Sequence, residues 1–287
     1  IFAEGLEDTQ YIQAHAEGVE ALRAKVKDFP PEEMAEVCGV DAETIRDCAR
    51  AYATSSASII FWGMGVSQHV HGTDNSRSLI NLALATGQIG RKGTGLHPLR
   101  GQNNVQGASD AGLIPMVFPD YKPVTNANFK QQFEDYWGTE LDGQKGLTVV
   151  EIVNAAHDGT IKGMYVQGEN PAMSDPDQTH ARQALAKLEH LVVQEIFLTE
   201  TAFHADVVLP ASAQQEKTGT YTNTNRQVQL GRPAISTPGQ ARQDWWITHE
   251  IARRMGHDFG FSEVREIYAE MAGIMPSLAN ITWDRLE

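Results

Sequence analysis

Ser58-Ile59-Ile60-Phe61-Trp62-Gly63-Met64-Gly65-Val66-Ser67-Gln68 holds a short, nearly unbroken apolar run that a glycine stops. So brief a run, with two isoleucines and two aromatics, fits a buried strand of a parallel sheet. A helix is expected after it. Asp74 can cap that helix, Leu79, Ile80, Leu82, Ala83 and Leu84 supply one apolar face, and Gly87 and Gly90 end it. Together these residues make one strand-loop-helix unit. Upstream, residues 18–26 and 41–53 have helical spacing, and Pro30-Pro31-Glu32-Glu33 marks a helix start between them.

The alternation returns downstream. Residues 148–157 read as helix, 162–167 as strand, 179–188 as helix and 191–194 as strand, followed by a strand-like run at 205–209. Such a series predicts an α/β fold, a parallel sheet wrapped by helices. Helices over 244–255 and near 262–271 complete the chain. The stretch from Gly90 to about Asn128 is rich in Gly, Asn, Gln and Pro but poor in charge. It is expected to be a long, ordered polar loop with a function.

Bulk properties narrow the function classes. The chain has 287 residues, 41% of them hydrophobic, enough to bury a sizeable core. Its longest apolar runs fall far short of the roughly 20 residues that span a bilayer. A net charge of −14 disfavours a nucleic-acid surface, which needs clustered Lys and Arg. The same charge leaves any anion site dependent on a locally placed cation. Cys38 and Cys48 lack metal-ligand spacing and are read as buried small residues. A reducing, cytoplasmic setting follows as an expectation. His69 and His71, with Asp74 nearby, lack the further ligands that a metal site needs.

In doubly wound folds ligands lie beyond the carboxyl ends of the strands. Three such ends carry small or amide-bearing residues: Gly63-Met64-Gly65-Val66-Ser67-Gln68, Gly168-Glu169-Asn170-Pro171 with Ser174 and Asp175, and Gln194-Glu195. The six-residue glycine fingerprint of ordinary nicotinamide-binding units is absent. Glu195 suits a ribose hydroxyl; a solvated or capping carboxylate is the plainer alternative. The densest signal is Pro98-Leu99-Arg100-Gly101-Gln102-Asn103-Asn104-Val105-Gln106-Gly107-Ala108-Ser109-Asp110, with one cation among amides. Arg100 can present a planar fork to a small carboxylate. Its alternative is pairing with a structural Asp.

The motifs from Trp62 to Gln68, Leu82-Ala83-Leu84-Ala85-Thr86-Gly87, and Leu99 to Gly107 resemble, in order and spacing, formate dehydrogenases of the bis-molybdopterin guanine dinucleotide family. Gly168-Glu169-Asn170-Pro171, Val193-Gln194-Glu195-Ile196-Phe197, Ala205-Asp206-Val207-Val208-Leu209-Pro210 and Glu216-Lys217-Thr218-Gly219-Thr220 continue the pattern. The resemblance implies a partial molybdopterin oxidoreductase fold with two Rossmann-like parallel-sheet domains. Residues 1–101 would form the end of the first dinucleotide-binding domain and 102–287 the second. The chain would be an internal segment, without the N-terminal iron–sulfur portion and the C-terminal β-rich domain, and inactive alone.

By the same resemblance, Arg100 holds formate beside the metal and Gln102 contacts the cofactor. Met64 and Gln68 line one pterin dinucleotide; Asn170, Ser174, Gln194, Glu195 and Asp244 hold the other. Glu195 stands where relatives often have Asp, and Ser174 where some have Thr. The cofactor would carry molybdenum or tungsten, with [4Fe-4S] clusters in the missing N-terminal part. Electrons from formate, leaving carbon dioxide, would pass to iron–sulfur and flavin or NAD-binding partner subunits. A nitrate reductase-like molybdoenzyme and a non-catalytic relative are the other readings. The former group usually has no arginine at the Arg100 position.

Overall fold

The computed structural model describes residues 1–287, which divide into two compact units, Ile1–Gly101 and Gln102–Glu287. The first unit runs α1 (Thr9–His15), α2 (Val19–Lys25), α3 (Pro31–Cys38), α4 (Ala42–Thr54), β1 (Ile59–Trp62), α5 (Met64–Ser67), α6 (Gly72–Ala85) and β2 (Gly95–Pro98). Its helix starts follow from local chemistry. Asp41 caps α4 by accepting from the Thr44 N–H at 2.9 Å, and Pro31 opens α3. Asp74, expected as a cap, lies instead within the first turn of α6. Its charge still suits the positive end of the helix.

β1 and β2 pair in parallel, with Trp62 opposite Pro98. The fully buried Gln88 fixes where β1 begins. Its Oε1 accepts from Ser58 N at 2.9 Å, and its Nε2 donates to the Tyr52 and Ser55 carbonyls. Three expectations are corrected here. β1 is not buried on both sides: Ile59 and Phe61 are exposed, because a two-stranded sheet leaves one face bare. The stretch after Gly90 is not one loop, since it contains β2. Cys38 and Cys48 are exposed rather than buried, because each lies on an outward-facing part of a half-covered helix.

The second unit continues with α7 (Val105–Asp110), β3 (Val117–Phe118), β4 (Lys122–Pro123), α8 (Ala127–Trp137), α9 (Val149–Asp158), β5 (Gly163–Gln167), α10 (Pro171–Ser174), α11 (Gln178–Lys187), β6 (His190–Glu195) and β7 (Val207–Pro210). β8 (Gly219–Thr222), β9 (Val228–Gly231), α12 (Asp244–Arg254), α13 (Val264–Ile274) and α14 (Trp283–Leu286) complete it. β5, β6 and β7 form a parallel sheet in chain order, as the alternation predicts. α9 starts where the Glu151 carboxylate takes both the N–H and the hydroxyl of Thr148. α11 turns Ala181, Ala184 and Leu185 inward on one face.

Two cores hold this unit. One packs Val166, Leu191 and Val193 of the sheet against Ala172, Leu185 and Ala202. Full burial of each large aliphatic side chain contributes roughly 1.5–3 kcal/mol. The other stacks Phe118 on Phe133 at 4.7 Å between ring centres, beside Tyr268, Met275 and Trp283. No helix in the chain is long and apolar enough to cross a membrane.

Candidate functional site

Each unit gathers expected site residues at the carboxyl end of its parallel strands. In the first, β1 runs into Gly63 and the short helix α5, and β2 runs into Leu99-Arg100. Leu99 N still donates to the Trp62 carbonyl at 2.8 Å, so the two chain exits leave side by side. A methyl group built on Gly63 or Gly65 would meet nothing within 4 Å, which leaves open room over the backbone. Met64 and Gln68 flank this space and are exposed. Arg100 is also exposed and forms no ion pair or hydrogen bond, so the alternative of a structural Asp partner is not realised. An unpaired guanidinium beside the carboxyl ends of two parallel strands is a ready receptor for a small carboxylate.

In the second unit, the sheet register places Gln167 opposite Gln194 and Glu195 opposite Pro210, so three strands end at one level. Gln194 is fully buried at that level. Its Nε2 donates to Asp244 Oδ1 at 2.7 Å, and its Oε1 accepts from the Tyr165 hydroxyl. The other Asp244 oxygen pairs with the Lys217 ammonium. Tyr165, Gln194, Asp244 and Lys217 therefore form one chain of contacts that joins β5 and β6 to the first residue of α12. Glu195 accepts from the Ile196 N–H at 2.7 Å through one carboxylate oxygen. Asn170 faces Thr201 and Glu200, and the Ser174 hydroxyl donates back to the Asn170 carbonyl at 3.1 Å. Gln102 opens this unit as an exposed residue.

Negative charge crowds these strand ends. The protein around the Glu169 carboxyl, and then the charges of Asp175 and Glu195, push its pKa up. Burial likewise raises Asp175, against an opposing hydrogen bond from Ser174. One Asp175 carboxylate oxygen and the hydroxyl of the buried Ser212 have no partner. Buried polar atoms normally find partners, so these two suit a ligand with donors of its own. Desolvation, then the Asp244 charge, raises the Tyr165 and Tyr221 hydroxyls.

A carboxyl raised in the folded state favours folding while protonated, and that contribution is lost as pH rises through the raised value. Ionised Glu169 therefore destabilises the ligand-free fold at neutral pH. Glu169→Gln is expected to raise the melting temperature of ligand-free protein there, and the gain should vanish below the ordinary Glu value of 4.5. Melts at about pH 7 and about pH 4 check this. An equal gain at both would place the effect outside the charge cluster.

Reasoning from sequence missed Lys217, Tyr165 and Thr201. Lys217 lay within a motif already noticed, Glu216-Lys217-Thr218-Gly219-Thr220, but its partner is 27 residues away. Only the folded chain shows that it neutralises Asp244. No set of three or more His, Cys, Asp or Glu side chains is placed to hold a metal ion.

F420-dependent formate dehydrogenase subunit alpha from Methanocaldococcus jannaschii is 45% identical over the whole chain, which spans 42% of that protein. Formate dehydrogenase H from Escherichia coli is 36% identical, again over the whole chain and 40% of the relative. The chain thus spans about two-fifths of the length of these relatives. Acetylene hydratase from Pelobacter acetylenicus shares the fold, with a TM-score of 0.73 at 20% identity over 99% of this chain and 41% of the other. The sequence profile of the molybdopterin oxidoreductases matches residues 3–254, nearly the entire chain. The chain belongs to the molybdopterin oxidoreductase family.

Proposed function

We propose that the chain is a segment of a formate dehydrogenase catalytic subunit that oxidises formate to carbon dioxide. The observation that carries this is Arg100, an exposed cation without a partner, beside the open Gly63–Gly65 turn. Relatives named as formate dehydrogenases support the substrate.

Membership of the family implies a molybdopterin cofactor with molybdenum or tungsten. The residues present fit such a group. Gly63 and Gly65 leave space for bulk, and partnerless polar atoms on Asp175 and Ser212 await donors and acceptors. The finer reading is a bis-guanine dinucleotide form, one dinucleotide to each unit. Met64 and Gln68 would line the first, and Gln102 would contact the cofactor. Asn170, Ser174, Glu195 and the Gln194–Asp244 pair would hold the second, Lys217 keeping Asp244 in place. When bound, the cofactor supplies the metal–sulfur redox chemistry that accepts two electrons from the substrate.

This chain contributes binding and orientation. Two parallel hydrogen bonds from the Arg100 fork to the formate oxygens hold the anion in one plane. The C–H bond then points away from the guanidinium, toward the reacting side. Positioning of this kind replaces a search in solution by a fixed encounter. The overall charge of −14 does not attract formate, so Arg100 must supply the local attraction.

Electrons would leave through [4Fe-4S] clusters carried elsewhere in the subunit. The acceptor would be a flavin- and NAD-binding partner in a cytoplasmic complex, or an F420-linked one, as three relatives' names suggest. The test is formate-dependent reduction of a viologen dye by purified full-length subunit with its metal bound. Reduction is expected. Its absence in metal-loaded protein would contradict the assignment.

A further inference from the structure

Thr201 is fully buried, and it addresses the Asn170 amide from two sides. Asn170 Oδ1 accepts from Thr201 N at 3.1 Å and from Thr201 Oγ1 at 2.7 Å. Asn170 Nδ2 donates to Glu200 Oε2 at 2.7 Å. A backbone N–H can only donate, so the amide atom facing it is oxygen. A carboxylate can only accept, so the atom facing Glu200 is nitrogen. Two neighbours thus set the orientation of the amide independently. The Thr201 hydroxyl is itself directed, because it accepts from Ala172 N at 3.0 Å and must send its single proton to Asn170.

This arrangement decides what Asn170 can offer. Both acceptor positions of its oxygen are occupied, and one of its two N–H groups is taken. One N–H donor is left. Asn170 stands three residues beyond the end of β5, where Gly168 N still bonds the Gln194 carbonyl at 2.9 Å. We propose that Thr201 is a positioning residue, which locks Asn170 so that it presents one donor and no acceptor to an oxygen atom of the bound dinucleotide. The inference rests on the dinucleotide reading of this unit.

The test uses the full-length subunit purified with its cofactor and reads guanine nucleotide and metal released per chain. Thr201→Val keeps the shape but deletes the hydroxyl, removing one of the three hydrogen bonds that hold the amide and loosening its placement. Retention is expected to weaken about tenfold, the effect of one directed hydrogen bond. Thr201→Ser should restore it. A general packing role is separated by the double variant. In an Asn170→Ala background Thr201→Val should add no further loss, because its effect acts through that amide.

Full retention in Thr201→Val, or the same added loss in both backgrounds, would overturn the proposal. If Asn170→Ala itself retains the cofactor fully, the dinucleotide reading at this residue fails and the proposal falls with it. Loss in Asn170→Ala with full retention in Thr201→Val would sink the Thr201 role alone.

Discussion

Arg100→Ala in the full-length subunit is expected to lower formate turnover by about 10²–10³-fold, the cost of losing one preorganised electrostatic donor. Metal and nucleotide content should stay at the parental level, since Arg100 forms no ion pair or hydrogen bond whose loss would disturb the fold. Arg100→Lys should recover only part of the rate. An ammonium keeps the charge but cannot present two parallel N–H bonds to a carboxylate, so orientation is lost while attraction remains. Steady-state rates and cofactor content measured on the same preparations separate the two effects. Unchanged turnover in Arg100→Ala would remove Arg100 from the reaction.

Asp244→Ala should act on cofactor retention before it acts on rate. Removing this carboxylate strands two partners together: the buried Gln194 loses its 2.7 Å acceptor, and Lys217 loses its counter-ion. A donor left unsatisfied in a buried position costs about 1–3 kcal/mol. The Lys217–Asp244 pair is about a quarter exposed on each side, so solvent screening reduces its share. Guanine nucleotide retained per chain is expected to fall several-fold. Asp244→Asn keeps an acceptor for Gln194 but no charge for Lys217, and should lie between the parent and Asp244→Ala. Full occupancy in Asp244→Ala would make this residue a purely structural link between β6 and α12.

The regular parts of both units were legible because their signals are local. The apolar run Ile59–Trp62, the Pro30-Pro31-Glu32-Glu33 helix start and the helical spacing of 41–53 each lie within a few neighbouring residues. β2 was not legible, since Gly95-Leu96-His97-Pro98 is poor in strand formers and is extended because it pairs with β1. The β8–β9 hairpin was overlooked for a related reason. Its two strands are four residues each, and the turn between them is held by Asn223 Oδ1 accepting from Gln227 N.

The candidate site divides along the same line. Arg100 stood out as the one cation in a loop of amides, and Gln194, Glu195 and Asn170 stood out at strand ends. What those side chains bond to could not be read from spacing. Gln194 and Asp244 are 50 residues apart in the chain, yet each is the other's partner. Thr201 is a buried hydroxyl 31 residues from the amide it holds. Contacts at such separations exist only once the sheet has formed.

One measurement bears most directly on the claim that each unit holds a guanine dinucleotide: metal and guanine nucleotide counted on the same purified full-length subunit. The expected result is molybdenum or tungsten with about two guanine nucleotides for each metal atom, the ratio that a bis-dinucleotide cofactor supplies. Metal without guanine nucleotide, or protein with formate-dependent activity and neither, would contradict it.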